Sequence, residues 1–144
     1  MSKWVREKDK SKWPVSEESA DAAVFEFLDF YGIELVNNPE KSEGMEEMLD
    51  AFRDYYRQGL LENKHDEDKG FSVIQYRKNG GTITYREMNG KDRLEIERYK
   101  PEQAVSRSYE LLGRLSGLGK DAMSKLMGED YRIATILSAL FLVC

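Results

Sequence analysis

The sequence predicts an α+β fold: an N-terminal helical hairpin, a three-stranded antiparallel β-meander and a C-terminal helical bundle. Three observations predict it. Apolar residues recur at helical spacing between residues 16 and 60 and again after residue 101. Between residues 71 and 99 the period drops to two, and the pairs Asn79-Gly80 and Asn89-Gly90 punctuate that stretch as turns do. With 144 residues and 40% hydrophobic content, the chain can bury a core without a metal or disulfide staple. The expected segments are a basic arm over 1–14, an acidic helical hairpin over 15–62, a loop over 63–70, the meander over 71–100 and the C-terminal helices over 101–144. Residues 15–144 are expected to form one compact domain.

Ser16, followed by Glu17 and Glu18, reads as a helix N-cap with two acids set against the positive end of the helix dipole. Ala20, Ala23, Val24, Phe27, Leu28 and Tyr31 then share one helical face, which Gly32 closes. Asn38-Pro39 opens a second helix, with Met45, Met48, Leu49, Phe52, Tyr56 and Leu60 at helical spacing. The run Glu62 to Gly70 shows no periodicity and reads as a solvated loop, with His65 an exposed imidazole in it. Its Asp66, Glu67 and Asp68 lack the ligand order of a calcium loop.

From Phe71 the residues alternate, with Phe71, Val73 and Gln75 on one face of a strand. Asn79-Gly80 turns the chain into a return strand over Thr82 to Met88, and Asn89-Gly90 turns it into a third strand, Leu94 to Tyr99. Lys100-Pro101 ends the sheet and starts a helix, in which Ala104, Ser108, Leu111, Leu112, Leu115 and Leu118 fall on one face. Gly113 interrupts that helix at a cost of about 1 kcal/mol relative to Ala, and its missing side chain permits close backbone packing there, within the chain or against a partner helix. A short helix over Lys120 to Met127 follows, with Ala122, Met123 and Leu126 inward, and a last helix runs from Glu129 or Asp130 to Val143. That last helix is apolar on every side, so it is either enclosed by the core or in contact with a partner, and an exposed far end would favour self-association into a homo-oligomer.

Composition excludes much chemistry. One His and one Cys can form neither a disulfide framework nor a structural zinc site, and they give no nucleophile-and-imidazole pair with evident spacing. The stretch Gly113 to Asp121 looks like a phosphate-binding loop but has the wrong glycine spacing, an Asp in place of the magnesium-binding Ser or Thr, and a helix before it. No catalytic residue, cofactor or metal is expected, and no segment reaches the length of a membrane span or the pattern of a signal peptide. A reducing, cytoplasmic compartment is the expectation.

The net charge of -5 is segregated: residues 1–14 carry +3, residues 15–54 hold two bases against twelve acids, residues 70–100 carry +3, and residues 101–144 balance. The basic arm, flanked by Trp4 and Trp13, is interleaved with Glu7 and Asp9, which weakens it as a nucleic-acid patch. The acidic stretch reads as solvated helix faces or as a surface for a basic partner.

The second half resembles the small assembly chaperones of long-tailed bacteriophages and prophages. The likeness rests on a β-unit with the turn Met88-Asn89-Gly90-Lys91, a strand leading to Tyr99-Lys100-Pro101, and the helix Leu111-Leu112-Gly113-Arg114-Leu115-Ser116-Gly117-Leu118 with its Leu-x-Gly-Leu end. Ala122, Met123 and Leu126 then follow as a short helix, and Glu129-Asp130-Tyr131 as the acidic start of the last one. It covers about residues 71 to 144 and leaves the N-terminal helices without a counterpart. The resemblance implies binding rather than catalysis, in the cytoplasm of a bacterial host: such proteins keep the helical tape-measure protein soluble and recruit tail-tube subunits. On that reading Leu137, Leu140, Phe141, Met123, Met127, Met45 and Met48 are the candidate partner-binding residues, the Met side chains being adaptable linings for an apolar helix. The competing expectation is an acidic inhibitor that docks through residues 15–54 on the basic, nucleic-acid-binding surface of a host protein.

Overall fold

The computed structural model describes residues 12–33, 39–68 and 70–142, excluding the side chains of 39–43. The arm up to residue 11, the Asn38 cap and the last two residues lie outside them. Helix α1 spans Glu17–Phe30 and starts as its sequence predicts, with the Ser19 amide donating to Ser16 Oγ at 3.1 Å. It ends in a Schellman motif at Gly32, whose φ of +64° no other residue type adopts cheaply: Ile33 N donates to Leu28 O at 2.9 Å and Gly32 N to Asp29 O at 3.2 Å. Helix α2, Pro39–Arg57, runs antiparallel to it, so that Arg57 O accepts from Val15 N at 3.0 Å and Phe52 meets Phe27 edge-on with centroids 4.9 Å apart.

Three antiparallel strands follow in the order β1-β2-β3: β1 Leu61–Asp66, β2 Gly70–Tyr76 and β3 Thr82–Arg86. The register pairs Leu61 with Gln75, Val73 with Tyr85 and Gln75 with Ile83. Leu61, Phe71, Val73, Ile83 and Tyr85 are therefore buried on one face, while the other face is open to solvent. The turn before β3 sits where Asn79-Gly80 predicts, as a three-residue loop: Gly80 N donates to Arg77 O, Gly80 takes φ +88°, and Asn79 Oδ1 accepts from Gly81 N.

The sheet has the expected number of strands, and β2 and β3 lie where the sequence predicts two of them, but the third is a different segment. The first half of the predicted loop at 63–70 belongs to β1, and the predicted third strand, Leu94 to Tyr99, is replaced by helix α3, Gly90–Glu97. Strand β1 escapes a pattern search because polar side chains, Asn63 and His65, occupy two of its three inward positions, Leu61 being the third. Asn63 donates through Nδ2 to Ala23 O at 2.9 Å and to Glu26 Oε1 at 3.0 Å, and accepts from the buried Tyr56 hydroxyl at 2.5 Å. One side chain thus joins α1, α2 and the sheet. His65, the other polar residue on that side, stands over Phe71 with its Nε2 3.2 Å from Glu26 Oε1.

At α3, Asn89 is a helix cap rather than a hairpin turn. Its side chain accepts from Asp92 N at 3.0 Å, and Asp92 Oδ2 accepts from Asn89 N at 2.9 Å, which completes a capping box. Ile96 is buried whereas Leu94 is 65% exposed, so their alternation marks two sides of a helix.

A 3-10 turn, Pro101–Gln103, leads into α4, Ala104–Ser116; α5, Lys120–Ser124, and α6, Gly128–Phe141, complete the chain. Leu111, Leu112 and Leu115 bury the predicted face of α4, while Ala104 and Leu118 at its ends are exposed. Helix α6 is enclosed rather than free: Ile133, Ala134, Leu137, Leu140 and Phe141 are all buried. Phe141 packs against Phe27, Tyr31 and Tyr85 at centroid distances of 5.7, 5.1 and 6.2 Å.

At Gly113 the close packing is within the chain. A Cβ there would lie 2.5 Å from Gly119 C and 2.6 Å from Lys120 N, both backbone atoms of the turn that folds α5 back on α4. Gly113→Ala should therefore lower stability by about 1–3 kcal/mol despite the helix-propensity gain. Chemical denaturation measures this, and an unchanged midpoint would refute the contact.

Candidate functional site

Two parallel stripes of the C-terminal bundle meet in a groove. Helix α4 contributes Val105, Tyr109 and Leu112, and α6 contributes Tyr131 and Ala134, with Met123 of α5 among the lining residues. The spacings of four and three residues place each set on one helical face. The groove encloses about 90 Å³, room for roughly three waters by liquid volume or a single aliphatic side chain. Two of its apolar residues are open to solvent, Val105 at 64% exposure and Tyr131 at 39%. Partial burial, together with a hydrogen bond to Tyr131, pushes the Tyr109 phenol above its ordinary pKa.

Of the residues predicted to bind a partner, Met123 lies in this groove and Met127 is on the surface. Leu137, Leu140 and Phe141 are 0% exposed, so these three, which an all-round apolar helix made candidates for a partner, are instead occupied by the chain's own core. Met45 and Met48 are half-buried on α2 and pack against that core. Sequence reasoning missed Val105, Tyr109 and Tyr131. Their signal was present as Val105, Tyr109 and Leu112, spaced four and three, but that stripe lies beside the Leu-rich core stripe and is masked by it.

A second constellation lies where β3, α3 and α4 converge. Asp92 is fully buried and accepts from Arg86 Nη1 at 2.6 Å and Nη2 at 2.9 Å, from Arg114 Nε at 3.0 Å and from Asn89 N at 2.9 Å. Burial alone would raise its carboxyl pKa, but the hydrogen bonds from Arg86, Asn89 and Arg114 outweigh it and hold the pKa at about 2. Every oxygen of the carboxylate is engaged with this chain, so the cluster is a tie between elements and presents nothing to a substrate.

A cavity of about 390 Å³ opens between α1 and β1 over Ala20, Ala23 and Leu61, with Glu26 and Asn63 among its walls. Beyond it the hairpin is strongly acidic. Arg53 is surrounded by carboxylates of Glu17, Asp21, Asp50 and Asp54 at 3.6–3.8 Å, and Glu18, Glu46 and Glu47 stand exposed on the two helices. Among the described residues no three His, Cys, Asp or Glu side chains are grouped to hold a metal, and no helix is long and apolar enough to cross a membrane. No family model, curated protein or solved structure matches the chain.

Proposed function

We propose that this chain is a non-enzymatic assembly adaptor of the phage or prophage tail-chaperone kind, which holds an apolar helical partner such as a tape-measure segment. The observation that carries this reading is the α4–α6 groove with its exposed apolar rim of Val105 and Tyr131. A helix laid across it would insert one aliphatic side chain between the two stripes and cover the rim, the helix-in-groove mode of recognition. Of the features behind the resemblance, the turn at Asn89-Gly90 and the strand to Tyr99 are instead the cap and body of α3; the Leu111–Leu118 stretch and the acidic start of α6 remain, and these two helices form the groove. Val105→Glu combined with Tyr131→Glu should abolish co-purification with a co-expressed tape-measure segment while leaving the melting temperature close to wild type. Retained co-purification would overturn the assignment of the groove.

A second reading is favoured by the acidic hairpin. Exposed Glu18, Glu46 and Glu47 around a fully surrounded Arg53 would suit docking on a basic, nucleic-acid-binding protein surface. Such binding weakens steeply with salt, whereas the apolar groove does not require low salt.

A further inference from the structure

At the corner where α3 ends and α4 begins, a cavity of about 280 Å³ is walled by Tyr99, Lys100, Pro101, Ala104 and Arg107, with buried Ile96 at its base. The side of Tyr99 is taken by Lys120, whose Nζ lies 3.4 Å from the phenol oxygen and 5.2 Å from the ring centroid. Two cations, Lys100 and Arg107, thus line the cavity, and Lys120 stands against Tyr99 beside it. Most guanidinium groups in this molecule have acids beside them: Arg53, Arg77, Arg86, Arg98 and Arg114 each lie within 4 Å of a carboxylate oxygen. Lys100 and Arg107 differ. Among the described residues neither is within ion-pair distance of a carboxylate, and Arg107 Nε is buried without a hydrogen-bond acceptor. Glu97, the acid in the cavity wall, is bound to neither of them.

A buried donor without an acceptor costs about 1–3 kcal/mol, and a chain with net charge -5 has acids to spare for any cation that needs one. Of the three guanidinium Nε atoms buried without an acceptor among the described residues, those of Arg53 and Arg77 have a carboxylate oxygen within 4 Å and that of Arg107 has none.

We propose that this cavity binds a phosphate-type oxyanion, free or carried as a phosphate monoester on a partner. The donor set selects phosphate over carboxylate. The Arg107 guanidinium and the Lys100 ammonium line the cavity, and the Tyr99 phenol, held by Lys120, adds a third polar group, which suits the three free oxygens of a phosphate monoester better than the two of a carboxylate. The site is independent of the α4–α6 groove, and its test does not depend on that reading.

The full chain is titrated with inorganic phosphate, O-phosphoserine and acetate at constant ionic strength held with chloride, following the backbone amides of Tyr99 to Arg107 by NMR. Saturable shifts with phosphate or phosphoserine, at least tenfold tighter than with acetate, are expected. The tighter of the two phosphates tells whether the natural ligand is the free anion or a modified partner. Lys100→Gln, at an exposed position that does not threaten the fold, and Arg107→Gln should each weaken binding at least fivefold. Shifts no larger than those from chloride, or an affinity unchanged in both variants, would overturn the proposal.

Discussion

Replacing Asp92 by Asn should destabilise the protein by about 3 kcal/mol, because it leaves two guanidinium groups facing a neutral amide inside the fold. The estimate is at the lower end for a broken buried ion pair because Arg86 is partly solvated, with 45% of its side chain exposed against 0% for Asp92. Loss of the capping box at α3 adds to the cost, since Asp92 also receives the Asn89 amide. The same network sets an acid limit on stability. The folded-state pKa of Asp92, about 2, lies below its ordinary value of 3.8, so the folded protein binds this proton less readily than the unfolded chain. Its contribution, roughly 2–3 kcal/mol by linkage, is fully present above about pH 4 and is lost as pH falls through about 2. Urea denaturation between pH 6 and pH 2 should show that loss in the wild type and a shallower one in Asp92→Asn. Equal pH slopes in the two proteins would rule out the network as their cause.

Leu140→Asp should be more severe and prevent folding. The side chain is 0% exposed and belongs to the same core cluster as Phe141 and Leu137. A carboxylate placed there has no cation to pair with in that apolar cluster, and the penalty of several kcal/mol is comparable to the total stability of a domain this size. Circular dichroism and gel filtration would report an unfolded or aggregated chain. A folded protein with wild-type melting behaviour would mean that this face of α6 is on the surface.

The two halves of α6 show why the sequence was legible for the fold and less so for the site. An all-round apolar helix declares that it is covered, but not by what. Here the cover comes from Phe27 and Tyr31, more than a hundred residues earlier, through contacts that periodicity cannot see. Caps were readable where one residue decides, as at Ser16 and Gly32, and Gly113 was readable because only an absent Cβ explains a helical glycine so tightly met. Asn89-Gly90 failed because the same dipeptide serves a hairpin and a helix start, and Asp92, three residues after the Asn, decided between them. Strand β1 failed because two of its three inward residues are polar and are satisfied by partners on α1 and α2. The basic corner at Tyr99 was invisible because Lys100 and Arg107 are ordinary surface residues until the chain brings them to one cavity, beside the Lys120–Tyr99 pair.

The position of Phe141 also sets an order of events during synthesis. Its ring closes the core against Phe27 and Tyr31 of the first helical hairpin and Tyr85 of the sheet. While a ribosome is still making α6, those earlier elements have left the tunnel with the apolar faces that Phe141 will cover still open to water. At about 5–20 residues per second, the roughly 110 residues between Tyr31 and that ring take about 5–20 seconds to appear. Closure of the core is therefore paced by translation of its latest part, and the interval before it is when the nascent chain is most exposed to self-association.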